Sequence, residues 1–425
     1  MDEVLYNSYV EILRKELIPA MGCTEPISLA YAASLAKKYF VGEVEKVDLI
    51  VSTNIIKNVK SVVVPNTGGL KGIFAAISCG ILFGNSDKIL EVISEVSEDK
   101  KHQISEFLNS KRFSLKESDL NLAFDIYVTL SNQEHSSSVR IVGEHTNVCL
   151  IKQDDKIILE KEFKNYKKEV AIDRSILNVK SIIEFADIVN LDDVKDTLNR
   201  QIECNMKIAE EGLKNNYGAR IGQILLNSGD NSILNKAKAY AASASDARMS
   251  GCELPVVINS GSGNQGITNS VPVIVYAKEL GLSHEQLLRA LVVSNLITAH
   301  LKTGIGSLSA YCGVVCAGVG AASGVSYLYG GKYHEISHTI VNALAIDSGM
   351  ICDGAKPSCA AKIASAIDSG ILGMQMQMNG TEFCDGDGIV SKGVENTIKN
   401  IGELASRGMR ATDEKIIDIM IRKSC

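Results

Sequence analysis

The sequence has no block of lysine and arginine, no internal repeat, no low-complexity segment and no Cys-x-x-Cys pair. Each absence removes a class of protein. Without a basic stripe, and with a formal net charge of -6, there is no footprint for nucleic acid and no polybasic anchor for a membrane surface. Without short Cys-x-x-Cys knuckles, the eleven cysteines do not read as a structural zinc ribbon. No charged side chain lies between Lys302 and Lys332, a length that would cross a bilayer. That run is built from Gly, Ala, Ser and Cys, with few of the Leu, Ile and Phe residues that favour insertion, so it reads as a closely packed buried helix. The first residues, MDEVLYNSYVEILRKEL, read as a short amphipathic helix and not as a signal peptide. We therefore expect a cytoplasmic protein, with thiols kept reduced for chemistry, metal binding or plain burial.

A chain of 425 residues can bury two cores. Alternating apolar residues predict strands in KVDLIVST (46–53), NLAFDIYVTLS (121–131), SSVRIVGEHTNVCLI (137–151) and KIILEKEF (156–163). VVVPNTGGLKGIFAAISCGILFG (62–84) reads as strand, turn, helix, and 88–114 as two charged helical patterns. From about 170 onward nearly everything keeps the helical period. The expected fold is α+β: an N-terminal α/β domain over 1–168 with an antiparallel-leaning sheet, then a mostly all-α catalytic domain over 169–425. Helices of small residues suit close packing between subunits as well as within one.

Several stretches carry chemistry. In MGCTEPISLAYA, Thr24 sits where an N-cap belongs and Glu25 and Pro26 suit the first turn, so Cys23 lies just before a helix. Position alone leaves two readings: a thiol whose pKa the helix dipole lowers, or a small buried hydrophobe. Asn66-Thr67-Gly68-Gly69 ahead of a helix can hold an anion on backbone N–H groups or simply turn the chain. Gly261-Ser262-Gly263-Asn264-Gln265-Gly266 resembles loops that hold pyridoxal phosphate, but Lys236 and Lys238 sit in a polar helix and no polyglycine run follows. We prefer a substrate carboxylate at the next helix start. His334-Glu335-Ile336-Ser337-His338 matches H-E-x-x-H, yet neither Asp347 nor Asp353 forms a third-ligand pattern, so it reads as the polar start of a helix. His145 in GEHTNV is a loop histidine that either touches substrate or does nothing. Cys312, Cys316, Cys352 and Cys359 gather on a Gly-rich frame at long, unequal intervals, which suits a thiolate-held iron–sulfur centre better than zinc.

Together, MGCTEPISLAYA, PNTGGLKG, NSGSGNQG, SLSAYCGVVCAGVGAA and GMICDGAKPSCA resemble the L-cysteine desulfidase family, a branch related to iron–sulfur L-serine dehydratases. The resemblance spans nearly the full chain. It implies a [4Fe-4S] enzyme that converts L-cysteine to pyruvate, ammonia and sulfide without pyridoxal phosphate. Cluster ligands carry over to Cys312, Cys352 and Cys359, and the proposed proton acceptor to Cys23. Cys316 is not a ligand by this matching. The substrate carboxylate is expected on Asn66, Thr67, Gly68 and Gly69 and on Ser262, Gly263, Asn264 and Gln265. Related serine dehydratases of one type place a terminal cysteine on the open iron; for Cys425 we favour a solvated tail residue.

Overall fold

A computed structural model describes the chain except Asn121, residues 163–172, Gly229, Ser307, Leu308 and residues 423–425. The expected boundary at 168/169 and Cys425 therefore lie outside the described residues. The architecture is α+β, with a mixed sheet in the N-terminal half and mostly helices in the C-terminal half.

Eight strands are described: β1 (Pro19–Met21), β2 (Lys46–Val51), β3 (Arg112–Glu117), β4 (Asp125–Ser131), β5 (Ser136–Val142), β6 (Val148–Gln153), β7 (Lys156–Glu160) and β8 (Pro255–Val257). Six of them form one sheet in the order β3-β2-β4-β5-β6-β7, antiparallel except for the parallel β2–β3 pair. Alternation sets its faces: Val47, Leu49 and Val51 of β2 and Ile126, Val128 and Leu130 of β4 are fully buried. The Thr24–Lys38 helix packs on β4 and β5, and the Ile73–Phe83 helix packs on it in turn.

Three local expectations change. Thr24 is the first helical residue and Cys23 itself holds the N-cap position, its thiol making no capping bond. The 88–114 segment holds short 3-10 turns, one helix (His102–Ser110) and the start of β3, because parallel pairing with β2 outweighs the charged composition. The strand expected at 62–64 is reduced to a single bridge, Val63 to Lys71.

The uncharged run forms the Gly313–Leu328 helix, in which Val314 through Ser326 are all buried. Its glycines permit backbone contact with neighbouring helices: a Cβ on Gly318 would stand 2.4 Å from the Ala366 carbonyl, and one on Gly370 would stand 2.5 Å from the Gly318 carbonyl. That explains why a segment of such length is not apolar enough to insert; among the described residues no helix is long and apolar enough to cross a membrane.

A methyl group at this crossing has nowhere to go. We expect Gly318→Ala to lower unfolding stability by about 1–3 kcal/mol in a urea titration, the usual cost of overpacking; an unchanged midpoint would mean that the two helices are not in backbone contact.

Candidate active site

Two short antiparallel pairings assemble the site. In the first, β1 pairs with β8, with Ala20 opposite Val256, and Ile258 N–H donates to Ile18 O at 3.0 Å. This pairing sets MGCTEP beside the Ser262–Gln265 segment, and the Thr24 hydroxyl then donates to Gly261 O at 3.0 Å. In the second, Tyr311 bridges Ile351, with Cys312 N–H donating to Met350 O at 2.7 Å and Cys352 N–H to Ala310 O at 2.6 Å. Strand parity puts Cys312 and Cys352 on the same face of this pairing.

Each pairing ends at a helix. Cys23 is the N-cap of the Thr24–Lys38 helix, Cys312 the N-cap of Gly313–Leu328, and Cys359 the first residue of Cys359–Met378. All three, with Cys352, line one cavity of about 950 Å³. Cys312 and Cys352 share a hydrogen bond: Cys352, accepting it, is held below the usual thiol range against the opposing effect of burial, while Cys312, donating it, is pushed up. The Gly354 N–H and the Lys57 and Lys362 charges also favour the Cys352 thiolate. Burial pushes the Cys359 thiol up. Cys316 is fully buried in the core, pushed up to about 12 by that burial, and does not line the cavity.

Three sulfurs line the one cavity, one of them favoured as thiolate, and thiolates are donors of the kind a soft metal centre takes. A buried and a half-buried lysine face them. Lys302 is 4% exposed, with burial lowering its pKa and the nearby cysteines opposing that shift. Lys362 is pinned by Ile351 O at 2.6 Å and Asp353 Oδ1 at 2.8 Å. This positive surround offsets the charge of a thiolate-held centre, so the residues present fit such a group.

Across the cavity, the surroundings of Cys23 favour the neutral, buried thiol of its two readings. Its pKa lies well above the usual thiol value, because burial and the Glu25 carboxylate outweigh the helix terminus and Arg248. The thiol donates to Glu25 Oε2 at 3.1 Å, and Asn58 Nδ2 donates to Glu25 Oε1 at 2.9 Å. Burial alone favours a protonated Glu25, but His145, the Cys23 thiol and Arg248 oppose it, and the carboxyl sits below its usual range. Burial pushes His145 down despite Glu25. Cys23 and Glu25 thus form a buried thiol–carboxylate pair.

Four buried polar atoms on this cavity have no partner among the described residues: Arg248 Nε, Gln265 Oε1, His145 Nε2 and the Tyr311 hydroxyl. Unpaired buried polar atoms are costly, and their clustering marks a place where a small polar ligand completes the bonding. Gly313 makes room for one of them, since a Cβ there would meet Gln265 Oε1 at 2.7 Å.

Of the residues expected from sequence, Cys23, Ser262, Asn264, Gln265, Cys312, Cys352 and Cys359 share the cavity lining. Gly263 is the first residue of the Gly263–Glu279 helix, behind that lining. Asn66, Thr67, Gly68 and Gly69 do not line it: Asn66 donates to Ile93 O at 2.7 Å and Thr67 to Val64 O at 2.7 Å, so both side chains bind their own surroundings. Lys236 and Lys238 pair with Glu279 and Asp368 away from the cavity, so neither is placed to hold pyridoxal phosphate. Glu335 of the H-E-x-x-H match accepts from Lys332 N–H at 2.9 Å as a helix cap. Sequence reasoning missed Glu25, Asn58, Arg248 and Lys302. Only Lys302 carried a signal, as the first lysine or arginine after Arg289 along the mostly apolar second half of the His284–Thr303 helix.

The fold and site together define an α+β protein with three cysteines and a thiol–carboxylate pair on a shared polar cavity. Comparison with known proteins supplies the family. The serine dehydratase alpha chain family model matches residues 87–418, a span that includes Cys312, Cys352 and Cys359 but not Cys23. A UPF0597 protein of Desulfitobacterium hafniense is 55% identical over 98% of this chain and 97% of its own length. UPF0597 proteins of Treponema denticola and Fusobacterium nucleatum are 46% and 42% identical, each over 99% of this chain and over 99% and 100% of their own lengths. The chain belongs to the serine dehydratase alpha chain family.

Removing the carboxylate beside Cys23 takes away an anion that disfavours its thiolate. Glu25→Gln should therefore lower the Cys23 pKa and speed its alkylation by iodoacetamide several-fold at pH 8, read by peptide mass spectrometry. Equal rates in the two proteins would uncouple Cys23 from Glu25.

Proposed function

We propose that this protein is a lyase that cleaves L-cysteine to pyruvate, ammonia and sulfide by non-redox β-elimination, with a [4Fe-4S] cluster held by Cys312, Cys352 and Cys359. The observation that carries this reading is the convergence of those thiols, the Cys23–Glu25 pair and four partnerless polar atoms on one cavity. When bound, the cluster would supply a Lewis-acidic iron that makes the substrate sulfur a better leaving group.

The chain's own residues do the rest. Arg248 Nε, beside the start of the Gly263–Glu279 helix, receives the α-carboxylate together with the Ser262–Gln265 segment. Ser262 N–H is already spent on Asn259 O at 3.0 Å, so the contacts come from the positions after it. The Asn66–Gly69 turn has no part in this arrangement. Cys23 sulfur takes the Cα proton as its own thiol proton passes to Glu25 Oε2, which keeps a charged thiolate from having to persist in a buried site. The Cα–H electron pair forms the Cα=Cβ bond as the C–S bond breaks. The aminoacrylate released tautomerises to an imine, and water hydrolyses it to pyruvate and ammonia. In this scheme the 1–168 part contributes the proton acceptor and the 169–425 part the cluster ligands. A reducing cytoplasm suits exposed and cavity thiols alike.

L-Serine is the second reading, favoured by the serine dehydratase alpha chain match. The same residues would abstract its Cα proton while hydroxide departs, although a hydroxyl is a poorer partner for a soft centre than a thiol.

Anaerobically purified protein, assayed for pyruvate on both amino acids and for sulfide on L-cysteine, should turn over L-cysteine with the higher kcat/KM; faster pyruvate release from L-serine would select the second reading. Cys23→Ala and Glu25→Gln should each lower kcat by about 10²–10⁴ with iron content unchanged. Arg248→Gln should act on the other parameter, raising KM by about 30-fold or more, the usual scale for losing a buried charged hydrogen bond. An unaltered KM would remove Arg248 from carboxylate binding.

A further inference from the structure

We propose that His334, His338 and Glu382 form a binding site for a first-row divalent cation of the zinc type, apart from the cysteine-lined cavity, which none of the three lines. The two histidines are one turn apart on the Tyr333–Ile346 helix, with ring centroids 4.4 Å apart. Glu382 comes from the loop after the Cys359–Met378 helix and sets Oε2 2.5 Å from His338 Nδ1. One potential ligand atom from each of the three lies within 4.8 Å of the others.

The carboxylate is held in place by a device on the same helix. Asn342, fully buried and one further turn along from His338, accepts from Phe383 N–H at 3.0 Å and donates to Thr381 O at 3.4 Å and Gly373 O at 3.1 Å. It thereby grips the loop on both sides of Glu382 and presents that carboxylate to the histidine row. Support of this kind, in which a neighbour orients a ligand, is characteristic of built metal sites.

The donor chemistry selects the ion. Two imidazoles and one carboxylate suit zinc, cobalt or nickel, whereas magnesium and calcium take oxygen sets. At bonds of about 2.0–2.1 Å, tetrahedral ligand atoms stand about 3.3 Å apart, so the present spacing needs only side-chain rotation, which partly exposed side chains can make. Water would complete the sphere. Glu335 is turned to its own helix start, so the match is not a metalloprotease centre. The nearby Lys332 ammonium is engaged by Asp187 at 3.1 Å, which offsets its repulsion of a cation. The bound ion would bridge the Tyr333–Ile346 helix to the Glu382 loop.

Cobalt(II) is the probe that separates this site from the thiols. Titrated anaerobically into the whole protein with its cysteine site reconstituted, it should bind at one equivalent with weak visible bands and without the intense near-ultraviolet band of thiolate coordination. His334→Ala, at an exposed position, and Glu382→Gln should each weaken that binding at least tenfold while leaving metal-free thermal unfolding unchanged. The proposal is overturned if no such equivalent binds, if thiolate bands dominate, or if both variants bind as tightly as the parent.

Discussion

The site depends on backbone pairing between segments far apart in the chain. The β1–β8 pairing and the two bonds around the Tyr311–Ile351 bridge involve only a few residues each. Yet they set the register of everything that follows, since each strand runs almost directly into a helix whose first residues face the cavity. A slip of one residue would turn Cys312 or Cys352 to the opposite face, because side chains alternate along an extended backbone. Rigid helices then hold the position, and close helix contact through Gly318 and Gly370 leaves little room for them to shift.

Within that frame, burial outweighs helix polarity. A thiol at a helix N-terminus ordinarily gains thiolate character, and Cys23, Cys312 and Cys359 all occupy such positions. All three are nevertheless shifted toward the neutral thiol, Cys23 by desolvation and Glu25, Cys312 by its bond to Cys352 and by burial, Cys359 by desolvation. The exception is Cys352, in the loop, where a donated hydrogen bond and neighbouring lysines prevail. Charge in this cavity is decided by specific partners at close range, as expected where water is largely excluded.

The division between the two sides of the cavity has a chemical logic. The cysteine side gathers soft donors beside lysines, whereas the Cys23 side gathers a thiol, a carboxylate and an amide. Arg248 and Gln265 stand at the start of the Gly263–Glu279 helix, on the β8 side of the assembly. In the proposed reaction, a small zwitterion with a leaving group on its β-carbon would bring three unlike ends to these three unlike surfaces.

Much of the architecture was legible in the sequence, because period and composition are local properties. Alternation marked β2, β4 and β5, helical spacing marked the C-terminal half, and the uncharged Gly/Ala run marked a tightly packed helix. The motifs containing Cys23, Cys312, Cys352, Cys359 and the Ser262–Gln265 segment could be singled out for the same reason. Other features could not be found there. That Asn58 meets Glu25 beside the Cys23 thiol, that Arg248 reaches the Gly263–Glu279 helix start, that Asn66–Gly69 stands apart, and that Glu382 meets His338 are results of approach between separate segments. A residue's own neighbours in the chain fix its periodicity, but its desolvation and charge partners come from segments up to hundreds of positions away, and those set its pKa and its role.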